Sequence, residues 1–159
     1  MQNQVEVKTE SARTVIGRRY ELTFEQFSLI PELTGEAIPQ LHKYLAGSGI
    51  QPSGPDTYEY HFHDSPHGPR RIRGGRFTLT LAVPVAEAIV PPPPIEFITL
   101  ATFKYIELVT NSFGDEWRRV RDLAEQSGYE RSLIEREVYH SWQGLGNSGT
   151  KVSLQVGLK

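Results

Sequence analysis

A chain of 159 residues has the length of one domain, and 17 Lys+Arg against 19 Asp+Glu leave a formal charge of −2. With 38% hydrophobic and 10% aromatic residues it can close a core unaided, which excludes wholesale disorder and a mini-protein that needs staples. The absence of cysteine removes disulfides, thiolate catalysis and sulfur-ligated zinc, and the near-neutral balance removes the electrostatic excess of a general nucleic-acid binder.

Residues 1–20 mix charges without a signal-peptide apolar core, and no later run approaches the length of a membrane span. The expectation is a cytoplasmic protein with no membrane partner and no direct nucleic-acid partner. Residues 5–7 and 14–20 read as strands. The apolar stripe Leu33, Ile38, Leu41, Leu45 then marks a helix, kinked or restarted at Pro39 and closed by glycines 47 and 49. Residues 57–63 and 76–85 form a long hairpin, with Phe77, Leu79, Leu81 and Val83 alternating with polar or small neighbours. The prolines 91–94 force an extended break. Beyond it, residues 97–109 are strand material, Ser112 to Asp115 open a second helix in the manner of a capping box, and Gly128 ends it. Residues 136–142 and 151–158 complete the chain as strands.

The second half repeats the first. A shift of 79 positions lays Ser48-Gly49 on Ser127-Gly128, Tyr60-His61 on Tyr139-His140, and Ile38, Leu41 and Tyr44 on Trp117, Val120 and Leu123. Two units are too few for a solenoid, so they should share one sheet. The fold class is therefore α+β: two pseudo-symmetric strand-helix-strand-strand modules, about 1–90 and 91–159, forming an antiparallel sheet with two main helices in one domain over 1–159.

Tyr58 and Tyr60 share a strand face, Tyr139 takes the matching place in the second half, Trp117 faces inward from a helix, and Tyr105 lies on a strand. They either line one cavity, where rigid rings suit apolar or cationic ligands, or are half-buried core aromatics. Glu137 shares a face with Tyr139 and under the 79-residue shift matches Tyr58. It is either a carboxylate aimed among rings, which is a cation site in outline, or a solvated glutamate beside Glu135 and Arg136.

His61, His63 and His67, with Asp64, have a spacing that a metal accepts, or are solvated hairpin histidines. Arg70, Arg71, Arg73 and Arg76 either grip an acidic group or keep a loop soluble. With no cysteine, H-E-x-x-H, G-x-S-x-G or dinucleotide fingerprint, no catalytic residue, metal or cofactor is assigned.

Ile30-Pro31-Glu32-Leu33, Tyr44-Leu45 and Gly49 to Pro55, followed by Trp117, Glu137-Val138-Tyr139 and the closing strand 152–158, together resemble the GyrI-like small-molecule-binding domain over essentially the whole chain. The resemblance implies a ligand cleft between the modules, as in the effector-binding domains of AraC-type and MerR-type multidrug regulators. It also implies that Glu137 meets lipophilic cations among Trp117, Tyr139, Tyr58, Tyr60 and Tyr105. No helix-turn-helix is evident. Stand-alone relatives include the DNA gyrase inhibitory protein, and a separate branch hydrolyses electrophilic ligands. The expected function is thus to sequester or sense an amphipathic aromatic small molecule, cationic or neutral, with a hydrolase, or a protein module acting on DNA gyrase or a regulator, as alternatives. Ser153, Gly157 and Thr80 stand where many relatives carry acids or proline, which predicts a less acidic pocket.

Overall fold

The alternation of apolar and polar residues on each predicted strand is realised in one curled antiparallel sheet. The computed structural model describes residues 5–63 and 75–159. In chain order the elements are β1 (Lys8–Glu10), β2 (Arg13–Thr23), a 3-10 turn (Phe24–Leu29), α1 (Ile30–Gly47), β3 (Asp56–Phe62), β4 (Arg76–Pro84), β5 (Glu96–Leu100), β6 (Phe103–Thr110), α2 (Glu116–Gln126), β7 (Arg131–Ser141) and β8 (Lys151–Leu158). The strands run β1-β6-β8-β7-β3-β4-β2-β5 across the sheet. The two modules are thus β2-α1-β3-β4 and β6-α2-β7-β8, joined at the centre by β3 against β7.

Both helices lie on the same face. α1 buries Ala37, Leu41 and Leu45 among Leu79, Leu81 and Val83, and α2 buries Val120 and Ala124 among Ile106, Leu154 and Val156. The repeat is exact enough to show in the helix ends. Gly49 and Gly128 adopt φ of 70° and 81°, and the amides of Ile50 and Tyr129 donate to the carbonyls of Leu45 and Ala124. Each of these pairs is related by the same 79-residue shift, and each glycine supplies a left-handed closure that a Cβ disfavours.

Three local expectations change. Residues 97–109 form two strands, β5 and β6, which sit near opposite edges of the sheet. Lys8 faces Tyr105, Arg13 faces Leu100 and Gly17 faces Glu96, so residues 8–17 and 96–105 pair in one register across both edges and curl the sheet toward closure. Arg136 tethers this crossing. Its guanidinium lies 4.0 Å over the Phe103 ring, donates to the Ala101 carbonyl at 3.4 Å and pairs with Glu59 at 2.8 Å. The second change is at α2, where Asp115 is the cap residue but makes no side-chain cap hydrogen bond. Thr110 instead takes the Ser112 amide through its hydroxyl and donates to the Ser112 carbonyl, closing a turn before the helix. The third is the first strand, expected at residues 5–7 and found at Lys8–Glu10; Pro39 lies inside α1, which does not restart there. Among the described residues, no helix is long and apolar enough to cross a membrane.

Candidate functional site

The β3–β7 register decides what meets at the centre. Tyr58 pairs with Glu137, and these two positions are also each other's equivalents under the repeat, so the pseudo-two-fold axis passes between them. Around the axis the other sheet positions fall into equivalent pairs: Tyr60 with Tyr139 and Asp56 with Glu135. On the helices, Ile38 matches Trp117 and His42 matches Arg121.

Glu137 is 7% exposed. The Tyr60 hydroxyl donates to its Oε1 at 2.9 Å and the Tyr139 hydroxyl to the same oxygen at 3.1 Å, while the Trp117 indole Nε1–H donates to Oε2 at 3.0 Å. All three donors are neutral, and no lysine, arginine or histidine among the described residues forms an ion pair with this carboxylate. Burial holds the Glu137 carboxyl above the usual carboxylate range. The three hydrogen bonds pull it back down, and the charge of Glu135 pushes it further up. Burial likewise keeps the hydroxyls of Tyr58, Tyr60 and Tyr139 protonated well above their ordinary value, so they remain donors.

Glu137 opens onto a cleft of about 630 Å³, within the range that small-molecule sites occupy. Its sheet wall is Tyr58, Tyr60 and Tyr139, with the Tyr58 and Tyr139 rings 4.4 Å apart between centroids. Ile30, Ile38 and Phe27 close one side, and Phe113, Trp142 and Leu145 the other. Among the described residues, the charged side chains lining it are Asp56 and Glu137, both acidic. A smaller chamber of about 170 Å³ lies beyond Glu137 and is lined by Trp117, Arg121 and Glu135 as well as Tyr60 and Phe27. There the carboxylate is neutralised internally. Arg121 forks onto both oxygens of Glu135 at 2.7 and 2.8 Å and stacks 5.0 Å over the Trp117 ring, and Arg131 adds a third contact at 3.3 Å.

Of the residues singled out from sequence, the structure gathers Glu137, Trp117, Tyr139, Tyr60 and Tyr58. Tyr105 is elsewhere: it pairs with Gly157, stacks on Phe103 and stands on the sheet face opposite Glu137. Ser153 and Thr80 also face away from the cleft, since they pair with Val138 and Glu59 rather than with Glu137 and Tyr58. They leave its acidity untouched. Gly157 sits where an added Cβ would meet the Ile134 carbonyl at 2.5 Å, so backbone packing demands glycine there. His61 and His63 lie with rings 5.7 Å apart, and His63 bonds the Thr78 hydroxyl; no metal-binding cluster occurs among the described residues. Asp64, His67, Arg70, Arg71 and Arg73 lie outside the described residues, and Arg76 begins β4.

The sequence reading missed Asp56, Phe113 and Trp142. Asp56 precedes the tyrosines at the strand period and matches Glu135 under the repeat, so the signal for it was present. Trp142 follows the last residue of β7 and gave none.

No protein-family model matches the chain, and no curated protein does. Solved structures do. It superposes on SAV2435 bound to tetraphenylphosphonium with a TM-score of 0.68 at 11% identity, covering 99% of this chain and 94% of that one. The C-terminal domain of EcmrR gives a TM-score of 0.68 at 17% identity with 100% and 99% covered. A hydrolase encoded by lin2189 from Listeria innocua gives 0.53 at 6% identity with 98% and 93% covered. At these identities the likeness is one of fold: the chain shares the fold of SAV2435 and of the EcmrR C-terminal domain.

Proposed function

We propose that residues 1–159 act as one domain that binds an amphipathic, aromatic cation in the cleft between its modules. The observation that carries this reading is Glu137, a buried carboxylate at the floor of an aromatic cleft, held by three neutral donors and, among the described residues, in no ion pair with a basic side chain. A buried charge without a counter-charge is costly, and a cation that enters the cleft relieves that cost while its flat apolar parts displace water from the rings. The bound tetraphenylphosphonium in SAV2435, a protein of the same fold, supports the choice of a lipophilic cation.

Isothermal titration of phenyltrimethylammonium and its neutral isostere tert-butylbenzene against the wild type and Glu137→Gln tests it. The variant should weaken the cation roughly tenfold or more and leave the neutral compound nearly unchanged. Equal losses for both compounds would remove charge recognition.

A second reading, hydrolysis of an electrophilic ligand, draws on the same residue. Burial raises the proton affinity of Glu137, which suits a general base, and the fold also occurs in the Listeria innocua hydrolase. Mass spectrometry of an alkylating electrophile incubated with the protein separates the two, since only this reading yields a product that Glu137→Gln fails to make.

A further inference from the structure

The repeat places two acids symmetrically about the Tyr58–Glu137 axis, Asp56 in one lobe and Glu135 in the other, each facing a basic residue on the neighbouring helix. In the closed lobe Arg121 takes both oxygens of Glu135, Arg131 adds another bond, and the carboxylate side chain is 3% exposed. In the open lobe His42 Nε2 contacts only Oδ1 of Asp56, at 2.8 Å, and the acid remains 24% exposed on the wall of the large cleft. Its Oδ2 takes no hydrogen bond from the described residues. The protein therefore supplies a planar cation to one acid of the pair and leaves the other half-satisfied.

We propose that Asp56 is a second anchoring residue of the cleft and that the preferred ligands are aromatic dications, one positive group at Glu137 and the other at Asp56. This rests on the cation reading of the cleft. Asp56 and Glu137 are diagonal neighbours across the β3–β7 pair, so their Cα atoms stand about 7–8 Å apart. The other diagonal of the same four positions carries Tyr58 and Tyr139, whose contacting rings offer a platform for an aromatic spacer. No lysine or arginine among the described residues lines this cleft, and the histidine beside Asp56 occupies only its Oδ1, which leaves Oδ2 for a second positive group.

The test compares 1,4-bis(aminomethyl)benzene with 4-methylbenzylamine, which differ by one ammonium group, in calorimetric titrations at neutral pH. The wild type should bind the diamine about fivefold more tightly, the scale of a partly exposed ion pair. In Asp56→Asn, which keeps an acceptor for His42, that preference should fall to the advantage two equivalent ends have by statistics alone, the diamine losing more affinity than the monoamine. Asp56→Glu, which keeps the charge, should retain the preference. A diamine advantage that survives intact in Asp56→Asn overturns the assignment of Asp56 and leaves the cation reading standing. Failure of both amines to bind the wild type overturns the cation reading itself, and the inference with it.

Discussion

The two lobes around the pseudo-two-fold axis are built from equivalent positions and end with opposite character. One is closed: Trp117 and Arg121 project from α2 over Glu135, and a chamber of about 170 Å³ remains. The other is open: the equivalent residues of α1 are Ile38 and His42, and the space is about 630 Å³. The scaffold is the same on both sides, down to the hydrogen bonds that end each helix. The difference is three substitutions in kind: a tryptophan for an isoleucine, an arginine for a histidine, and at the axis a glutamate facing a tyrosine. A duplicated frame gains an asymmetric site when one copy neutralises its own acid and the other leaves its acid to the cleft.

The comparison breaks most visibly through the basic partners. Replacing Arg121 with methionine strips Glu135 of its forked partner and Trp117 of the cation over its ring, and should destabilise the protein by about 3 kcal/mol, as buried pairs do when one partner is removed. Replacing the equivalent His42 with alanine should cost under about 1 kcal/mol, because that pair is partly exposed and singly bonded. Urea denaturation of both variants measures the gap, and equal costs would show that the lobes are energetically alike.

The axis itself has a pH signature. Because burial raises the Glu137 carboxyl above its unfolded value, the native state holds a proton that the unfolded chain releases earlier. This group's contribution is therefore fully present below the ordinary carboxylate range and is lost as pH climbs through the raised value. Melting temperature against pH should fall across that window in the wild type and flatten there in Glu137→Gln. An unchanged slope would mean that the carboxylate is no costlier folded than unfolded.

The smallest expected difference, between the two helix-closing glycines, tests the sameness of the lobes. Gly49→Ala and Gly128→Ala each force a side chain into a positive φ with open space around the added Cβ. Each should cost about 1 kcal/mol, and the two should agree within the error of a urea titration.

Much of this frame was legible along the chain because it is local. The helix stripe ending at Leu45, the glycines that close both helices and the alternation of Phe77 to Val83 follow from periodicities of 3.6 and 2 and from the conformational freedom of glycine. The 79-residue repeat carried that reading further, since it put Glu137, Tyr139 and Trp117 in the same relation to one another as Tyr58, Tyr60 and Ile38. Other features depend on pairing between distant strands. That Tyr105 shares the far face with Phe103 and Arg136, and that residues 97–109 divide between two edges, follow from the curl of the sheet, which no window of sequence contains.

By itself, then, the sequence determined both helices, most of the strands, their duplication and the residue types available at the centre, because side-chain spacing and backbone preference act over a few residues. Only the tertiary structure decided that Tyr58 stands opposite Glu137, that Asp56 opens to the cleft while Glu135 is sealed, and that Trp142 joins the wall. Those outcomes hang on the β3–β7 register between segments some eighty residues apart, and a one-residue slip of β7 there would turn Glu135, Glu137 and Tyr139 to the other face, away from Asp56 and Tyr58.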